Sequence, residues 1–81
     1  MNREYIATFH THLSALLTSR SLTALGIQAR MMPVPRKLSS SCGTCVRYLA
    51  GDACLQAMDE DVEAVYEKVG KEEYVLLMNA D

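Results

Sequence analysis

The sequence lacks tryptophan and contains only one phenylalanine and four tyrosines among its 81 residues. It has no apolar run near the roughly 18 residues that a membrane-spanning helix needs. Its first residues also lack the basic and then continuously apolar pattern of a secretory signal peptide. We therefore expect a cytoplasmic protein without membrane association. At this length we expect one domain, over residues 1–81, with one small core.

Acidic residues are absent from Tyr5 to Gly51, where arginine and lysine side chains give a charge of +5. From Asp52 to Asp81, nine acidic residues are opposed by two lysines, which gives a charge of −7. Such segregation reflects either a function of the basic half or pairing between the two halves in the fold. The cations are too sparse, and the aromatic residues too few, to indicate nucleic acid as a partner.

The first half of the chain predicts three strands and one helix. Apolar and β-branched residues indicate strands over Tyr5–Phe9, Ile27–Val34 and Cys45–Leu49, and the proline- and serine-rich segment before the third strand is typical of a loop. Thr11 can cap a helix between the first two strands, and Gly26 can end it. The predicted buried stripe of this helix consists of Leu13, Leu16, Leu17, Ala24 and Leu25.

Two interpretations remain open for the C-terminal third. Asp52 can cap a second helix that ends at Gly70 and is followed by a strand over Tyr74–Met78. Alternatively, Val62–Val69 and Glu73–Met78 form a β-hairpin with its turn at Gly70 and the following lysine. We favour the first interpretation, which gives the order β-α-β-β-α-β. This order is typical of the small ferredoxin-like split βαβ fold, an α+β architecture.

The predicted topology brings two loops together. A strand–helix–strand crossover makes the first two strands parallel, so their C-terminal ends lie at the same edge of the sheet. We therefore expect the turn with His10 and His12 to meet the loop before the third strand. The N-terminus of the first helix, with its partial positive charge, opens onto that edge as well.

Cys42 and Cys45 have the C-x-x-C spacing of a thiol redox pair. Gly43 gives the loop between them conformational freedom. Arg36 and Arg47 lie close in sequence, and a nearby cation favours the reactive thiolate over the thiol. The alternative is a pair of half-buried cysteines that only pack at the start of a strand.

Other side chains can complete a site at this loop. Ser40 and Ser41 can present hydroxyls and backbone amides to an anion, or can form a polar turn without a ligand. His10 can act as a base toward a cysteine, or can be an exposed or capping residue. The two cysteines and two histidines reach the number of ligands in a metal site, but without a second C-x-x-C motif we expect no metal. Cys54 is expected to be an inert buried cysteine.

The segment from Pro33 to Gly43, which reads PVPRKLSSSCG, resembles a bacterial family of selenium/sulfur (Se/S) carrier-like proteins. The pattern in that family is similar: a proline-valine-proline-arginine turn, serines, and a cysteine-glycine pair that enters a strand bearing an arginine, here Arg47. The opening from Tyr5 to His12 and the leucine-rich helix are also similar. The resemblance covers at least residues 4–48 and implies a carrier whose cysteine is Cys42.

We therefore predict a chalcogen carrier rather than a true enzyme. Cys42 would hold sulfur or selenium as a persulfide or selenosulfide, and Cys45 would serve as a resolving thiol. The partners would be a cysteine desulfurase or another chalcogen donor, and an acceptor protein; no cofactor is expected. The predicted substrate- or anion-binding residues are Arg36, Ser40, Ser41, Gly43, Arg47 and His10.

Two other functions stay open at this point. One is a small thiol–disulfide redox protein that uses the Cys42/Cys45 pair. The other is a metal- or partner-binding module built from the same cysteines and histidines.

Overall fold

The computed structural model describes residues 2–80. Within this range the chain forms five strands, one α-helix and one 3-10 turn: β1 (Arg3–Phe9), α1 (His12–Ala24), β2 (Gln28–Pro33), β3 (Thr44–Ala50), the turn Leu55–Ala57, β4 (Val62–Gly70) and β5 (Glu73–Asn79). The strands form one sheet in the order β2-β3-β1-β4-β5, with every neighbouring pair antiparallel. The predicted α+β class is confirmed.

The first half of the chain follows the predicted crossover. β1 and β2 each pair antiparallel with β3, which lies between them, so they run parallel to each other. The hydroxyl of Thr11 caps α1 by accepting a hydrogen bond from the N–H of Ser14 at 3.1 Å. Gly26, with φ at +81°, ends the helical segment in the left-handed conformation that favours glycine. No helix among residues 2–80 is long and apolar enough to cross a membrane.

The predicted second helix does not form, so the β-α-β-β-α-β order is wrong at its fifth element. The segment contains only the 3-10 turn, and β4 then pairs with β1. Val62 lies opposite Phe9 and Val65 lies opposite Ala7, and all four are buried. A β-bulge at Glu63 puts these two valines on the same face although they are three residues apart. Because of the bulge, two buried valines of a strand have the three-residue spacing that is typical of a helix.

The C-terminal residues form the hairpin of the alternative interpretation, with a displaced turn. β4 and β5 pair directly, and Gly70 lies opposite Glu73. The turn therefore consists of Lys71 and Glu72, one position later than expected. Glu72 takes a left-handed φ of +63°.

The buried face of α1 differs from the predicted leucine stripe, since Leu13, Leu17 and Leu25 are exposed. The hydroxyl of Ser14 instead donates to a carboxylate oxygen of Asp59 at 2.7 Å, and the N–H of Asp59 donates to the hydroxyl of Thr18 at 2.9 Å. These bonds allow polar groups to be buried without leaving them unpaired. The buried residues of α1 are Ser14, Ala15, Thr18 and Leu22.

Different parts of the chain cover the two faces of the sheet. α1 covers the face with Tyr5 and Tyr48, whose rings stack with centroids 5.2 Å apart. Side chains alternate between the faces of a strand, so the buried Ile6, Thr8 and Cys45 belong to the other face. The connection between β2 and β3, residues 34–43, lies over that second face and is called the cysteine loop below. Its residues 38 and 39 border grooves shared with residues of β1, β4 and β5.

Candidate functional site

The cysteine loop meets the turn that follows β1, at the edge where α1 begins. The hydroxyl of Ser41 lies 3.5 Å from Nδ1 of His10, and the hydroxyl of Ser40 donates to the carbonyl of Phe9 at 2.8 Å. Beside them, Nδ1 of His12 lies 3.4 Å from the hydroxyl of Thr44. The predicted meeting of the two loops is confirmed.

Cys42 is half-buried in this edge and packs against the apolar cluster beneath α1. Its thiol donates to the carbonyl of Thr44 at 3.5 Å and lies 3.8 Å from the hydroxyl oxygen of Ser40. The next residue, Gly43, has φ at +74°, and its carbonyl accepts a hydrogen bond from the N–H of Val34 at 3.2 Å. This left-handed conformation favours glycine at the position that follows Cys42.

Cys45 has a different environment, although both cysteines are free thiols. Cys45 lies opposite Thr8 in the sheet, is fully buried, and donates to the carbonyl of Pro33 at 3.7 Å. Burial and, secondly, the proximity of Cys42 raise the pKa of Cys45 to about 11. Its thiolate is therefore disfavoured near neutral pH.

Cys54 lies before the 3-10 turn and not in a helix. It is half-buried, and its backbone N–H donates to the carboxylate of Asp52 at 2.8 Å. Burial and the interaction with Asp52 raise the pKa of its thiol. Cys54 is therefore not an activated thiol.

The predicted cations do not contact the thiol of Cys42. Nε of Arg47 forms an ion pair with Oε2 of Glu4 at 2.7 Å, and Lys68 approaches the same oxygen at 3.9 Å. Arg36 is exposed in the cysteine loop. Among residues 2–80, the hydrogen-bond partners of the Cys42 sulfur are the hydroxyl of Ser40 and a backbone carbonyl. Neither arginine is brought to the sulfur by this arrangement.

Glu63 is a residue of the site that the sequence analysis missed. Its Oε1 accepts from the N–H of Ser41 at 3.0 Å, and its Oε2 accepts from the hydroxyl of Ser41 at 2.7 Å. Nδ1 of His10 lies 3.4 Å from the same Oε2. Burial raises the pKa of Glu63, but the two hydrogen bonds from Ser41, with further contributions from the neighbouring Ser40 and His10, outweigh it, so the pKa is lowered.

The position of Glu63 explains part of the charge segregation. The acidic half of the chain supplies the carboxylate that fastens the acid-free half at Ser41. The alternative strand over Val62–Val69 included this residue, but only the structure shows that the strand pairs with β1. Pairing between the halves, one of the two explanations considered above, therefore accounts for this residue.

The cysteine and histidine side chains of the site have separate contacts. Among residues 2–80, no group of three or more histidine, cysteine, aspartate or glutamate side chains is arranged to hold a metal ion. His10 contacts Ser41 and Glu63, and His12 contacts Thr44. The geometry gives a site of thiol, hydroxyl and carboxylate groups.

Comparison with known proteins agrees with the resemblance seen in the sequence. A family model described as "Putative Se/S carrier protein-like" matches residues 4–74. The chain belongs to this family. The match extends past residue 48, where the resemblance had been traced, and includes β4 with Glu63. In this Se/S carrier-like protein, the two loops of the site and the strand that fastens them thus all lie inside the family match.

A further relative adds similarity but no activity. The chain is 32% identical over 44 residues to "Uncharacterized protein YtiA" of Escherichia coli (strain K12). The aligned part is 54% of this chain and 52% of that protein, so the chain spans about half the length of this relative. No solved structure matches the chain significantly.

Proposed function

We propose that this protein carries sulfur or selenium on Cys42 and passes it from a donor to an acceptor protein in the cytoplasm. The observation that carries the proposal is the contrast between the two cysteines of the motif. Cys42 is half-buried at the edge where the loops meet, whereas Cys45 is fully buried with a pKa raised to about 11. Membership in the Se/S carrier-like family supports the same cargo.

Loading would be a thiol–persulfide exchange. The thiolate of Cys42 attacks the outer sulfur of a donor persulfide, such as that of a cysteine desulfurase. A new S–S bond forms on Cys42, the donor's S–S bond breaks, and the donor leaves as its own thiolate. The hydroxyl of Ser40, which lies 3.8 Å from the sulfur of Cys42, would be the neighbouring side-chain group for the arriving sulfur.

Unloading would follow one of two routes. An acceptor thiolate can attack the outer sulfur and restore the thiol of Cys42. Alternatively, Cys45 can act as the resolving thiol by attacking the inner sulfur, which leaves a Cys42–Cys45 disulfide and releases hydrogen sulfide. Both routes balance without an added oxidant, because the carried sulfur accepts the electrons in the second route.

Intact-mass measurement after incubation with a cysteine desulfurase and cysteine tests this proposal. We expect wild-type protein to gain the mass of one sulfur atom. The Cys42→Ser variant should lose this gain, and Cys45→Ser and Cys54→Ser should retain it. Equal loading of Cys42→Ser and wild type would contradict the proposal. A thiol–disulfide redox protein would instead lose the mass of two hydrogens without gaining sulfur.

A further inference from the structure

Glu63 occupies the extra position of the β-bulge in β4. Thr8 pairs with Ala64 and Phe9 pairs with Val62, so Glu63 has no partner in β1. A bulge interrupts the regular alternation of side chains, and it can direct the extra residue toward a functional site. Here the carboxylate of Glu63 reaches the cysteine loop, and only 16% of its side chain is exposed.

Both carboxylate oxygens of Glu63 bind the residue directly before Cys42. One oxygen accepts from the N–H of Ser41 and the other accepts from its hydroxyl, at 3.0 and 2.7 Å. Hydrogen bonds to an ionised carboxylate are roughly twice as strong as those between neutral groups. With the bond from Ser40 to the carbonyl of Phe9, two consecutive loop residues are fastened to the sheet.

The two cysteines of the motif lie on different sides of the sheet, and the hydrogen bonds from Ser41 to Glu63 hold the loop that carries Cys42. Cys42 packs against the cluster beneath α1, whereas Cys45 faces the opposite side, beneath the cysteine loop. We infer that Glu63 is a positioning residue that prevents a persulfide on Cys42 from reacting with the thiol of Cys45 on the other side of the sheet. The inference rests on the proposed function and makes Glu63 the residue that determines how long the cargo is retained.

The chemistry of premature unloading defines what Glu63 prevents. When Ser41 is released, the loop can move and Cys45 can attack the inner sulfur of the Cys42 persulfide. The S–S bond of the persulfide breaks, a Cys42–Cys45 disulfide forms, and the outer sulfur leaves as hydrogen sulfide with the proton of Cys45. While the hydrogen bonds between Ser41 and Glu63 are intact, the sulfur stays on Cys42 and is available to an acceptor protein.

The first test measures exposure of Cys45 and does not depend on chalcogen carriage. Alkylation of Cys45 by iodoacetamide is followed by mass in a Cys42→Ser, Cys54→Ser background. We expect Ser41→Ala, which removes one of the two hydrogen bonds to the carboxylate, to raise this rate about tenfold, and Glu63→Ala, which removes both, to raise it at least as much.

The matched control is Ser14→Ala. It removes a serine–carboxylate hydrogen bond of the same 2.7 Å length, to Asp59, away from the cysteine loop. We expect this variant to lose stability in urea without faster alkylation of Cys45. Equal alkylation rates in Ser14→Ala and Glu63→Ala would overturn the inference, since the effect would then reflect general destabilisation.

The second test measures retention of the cargo. Protein with Cys42 and Cys45 intact is loaded by the desulfurase and separated from it, and release of hydrogen sulfide is followed over time. We expect Glu63→Ala to release sulfide about tenfold faster than wild type. Glu63→Gln, which retains an acceptor oxygen for the N–H of Ser41, should fall between them.

A Cys45→Ser substitution distinguishes the source of the released sulfide. Added to Glu63→Ala, it should restore slow release, because the resolving thiol is gone. Fast release that persists without Cys45 would overturn the inference. If wild-type protein does not load at all, the proposed function fails, while the alkylation test still decides whether Glu63 holds the loop.

Discussion

The two faces of the sheet are covered in different ways. α1 covers one face through apolar packing, and the cysteine loop covers the other face and is held there by polar contacts. In the first region, the fully buried Leu22 of α1 belongs to one apolar cluster with the stacked rings of Tyr5 and Tyr48 on the sheet. The second cover is fastened by hydrogen bonds to Glu63 and to the carbonyl of Phe9. Segments with few buried apolar contacts open locally at lower free energy than a packed core. We therefore expect the cysteine loop to open more easily than the region beneath α1.

The largest effect should come from the apolar cover. Leu22→Ala deletes a fully buried side chain and should lower the free energy of unfolding by about 2–5 kcal/mol. Urea unfolding followed by circular dichroism measures this loss. Leu25→Ala, at a leucine that is 61% exposed, should change stability by less than about 0.5 kcal/mol. A similar loss in both variants would show that the buried face of α1 is misassigned.

A smaller effect is expected within the cysteine loop. Gly43→Ala forces a left-handed backbone on a residue with a side chain, at a cost of about 1–2 kcal/mol, although a methyl group there would meet no other atom within 4 Å. Gly51→Ala is the control, because Gly51 has the same free space and no positive φ. We expect the Gly43 variant to speed alkylation of Cys45 and the Gly51 variant to leave it unchanged. The same rate in both would remove the argument from backbone strain.

The smallest effect should be the pH dependence from Glu63, because burial and hydrogen bonding shift its pKa in opposite directions. The net pKa in the folded protein is lowered from 4.5. Its contribution to stability is therefore present above pH 4.5 and is lost as the pH falls through the lower folded value. Subtracting the urea stability of Glu63→Gln from that of wild type, between neutral and acidic pH, isolates this contribution. A difference that stays constant over that range would contradict the assigned ionisation.

Sequence reasoning was reliable where local signals and topology agreed. Thr11 and Gly26 delimited α1, and the crossover correctly placed the turn with His10 beside the cysteine loop. It failed where tertiary contacts overrode a periodic pattern. The bulge at Glu63 gave two buried valines a helical spacing, and the contacts with Asp59 turned the polar side of α1 inward.

The site was predictable only where local sequence signals identified its residues. The segment before β3 contained Cys42 and the serines, and the family match confirmed the resemblance. Local sequence could not show that Cys45 is buried on the other face, or that Arg47 pairs with Glu4. Those facts depend on strand register, which joins residues more than forty positions apart in the case of Arg47. The roles of the individual cysteines remain predictions that the mass and alkylation experiments test.

The strand order also separates positive from negative charge across the sheet. β2 and β3 come from the acid-free half and lie at one side of the sheet, whereas β4 and β5 come from the acidic half and lie at the other. An asymmetry along the chain thus becomes an electric dipole across the sheet. The electric field of such a dipole orients a small protein as it approaches a charged partner, and it raises the fraction of collisions that lead to binding. Because this effect is long-range, added salt should weaken it well before it disturbs the buried contacts.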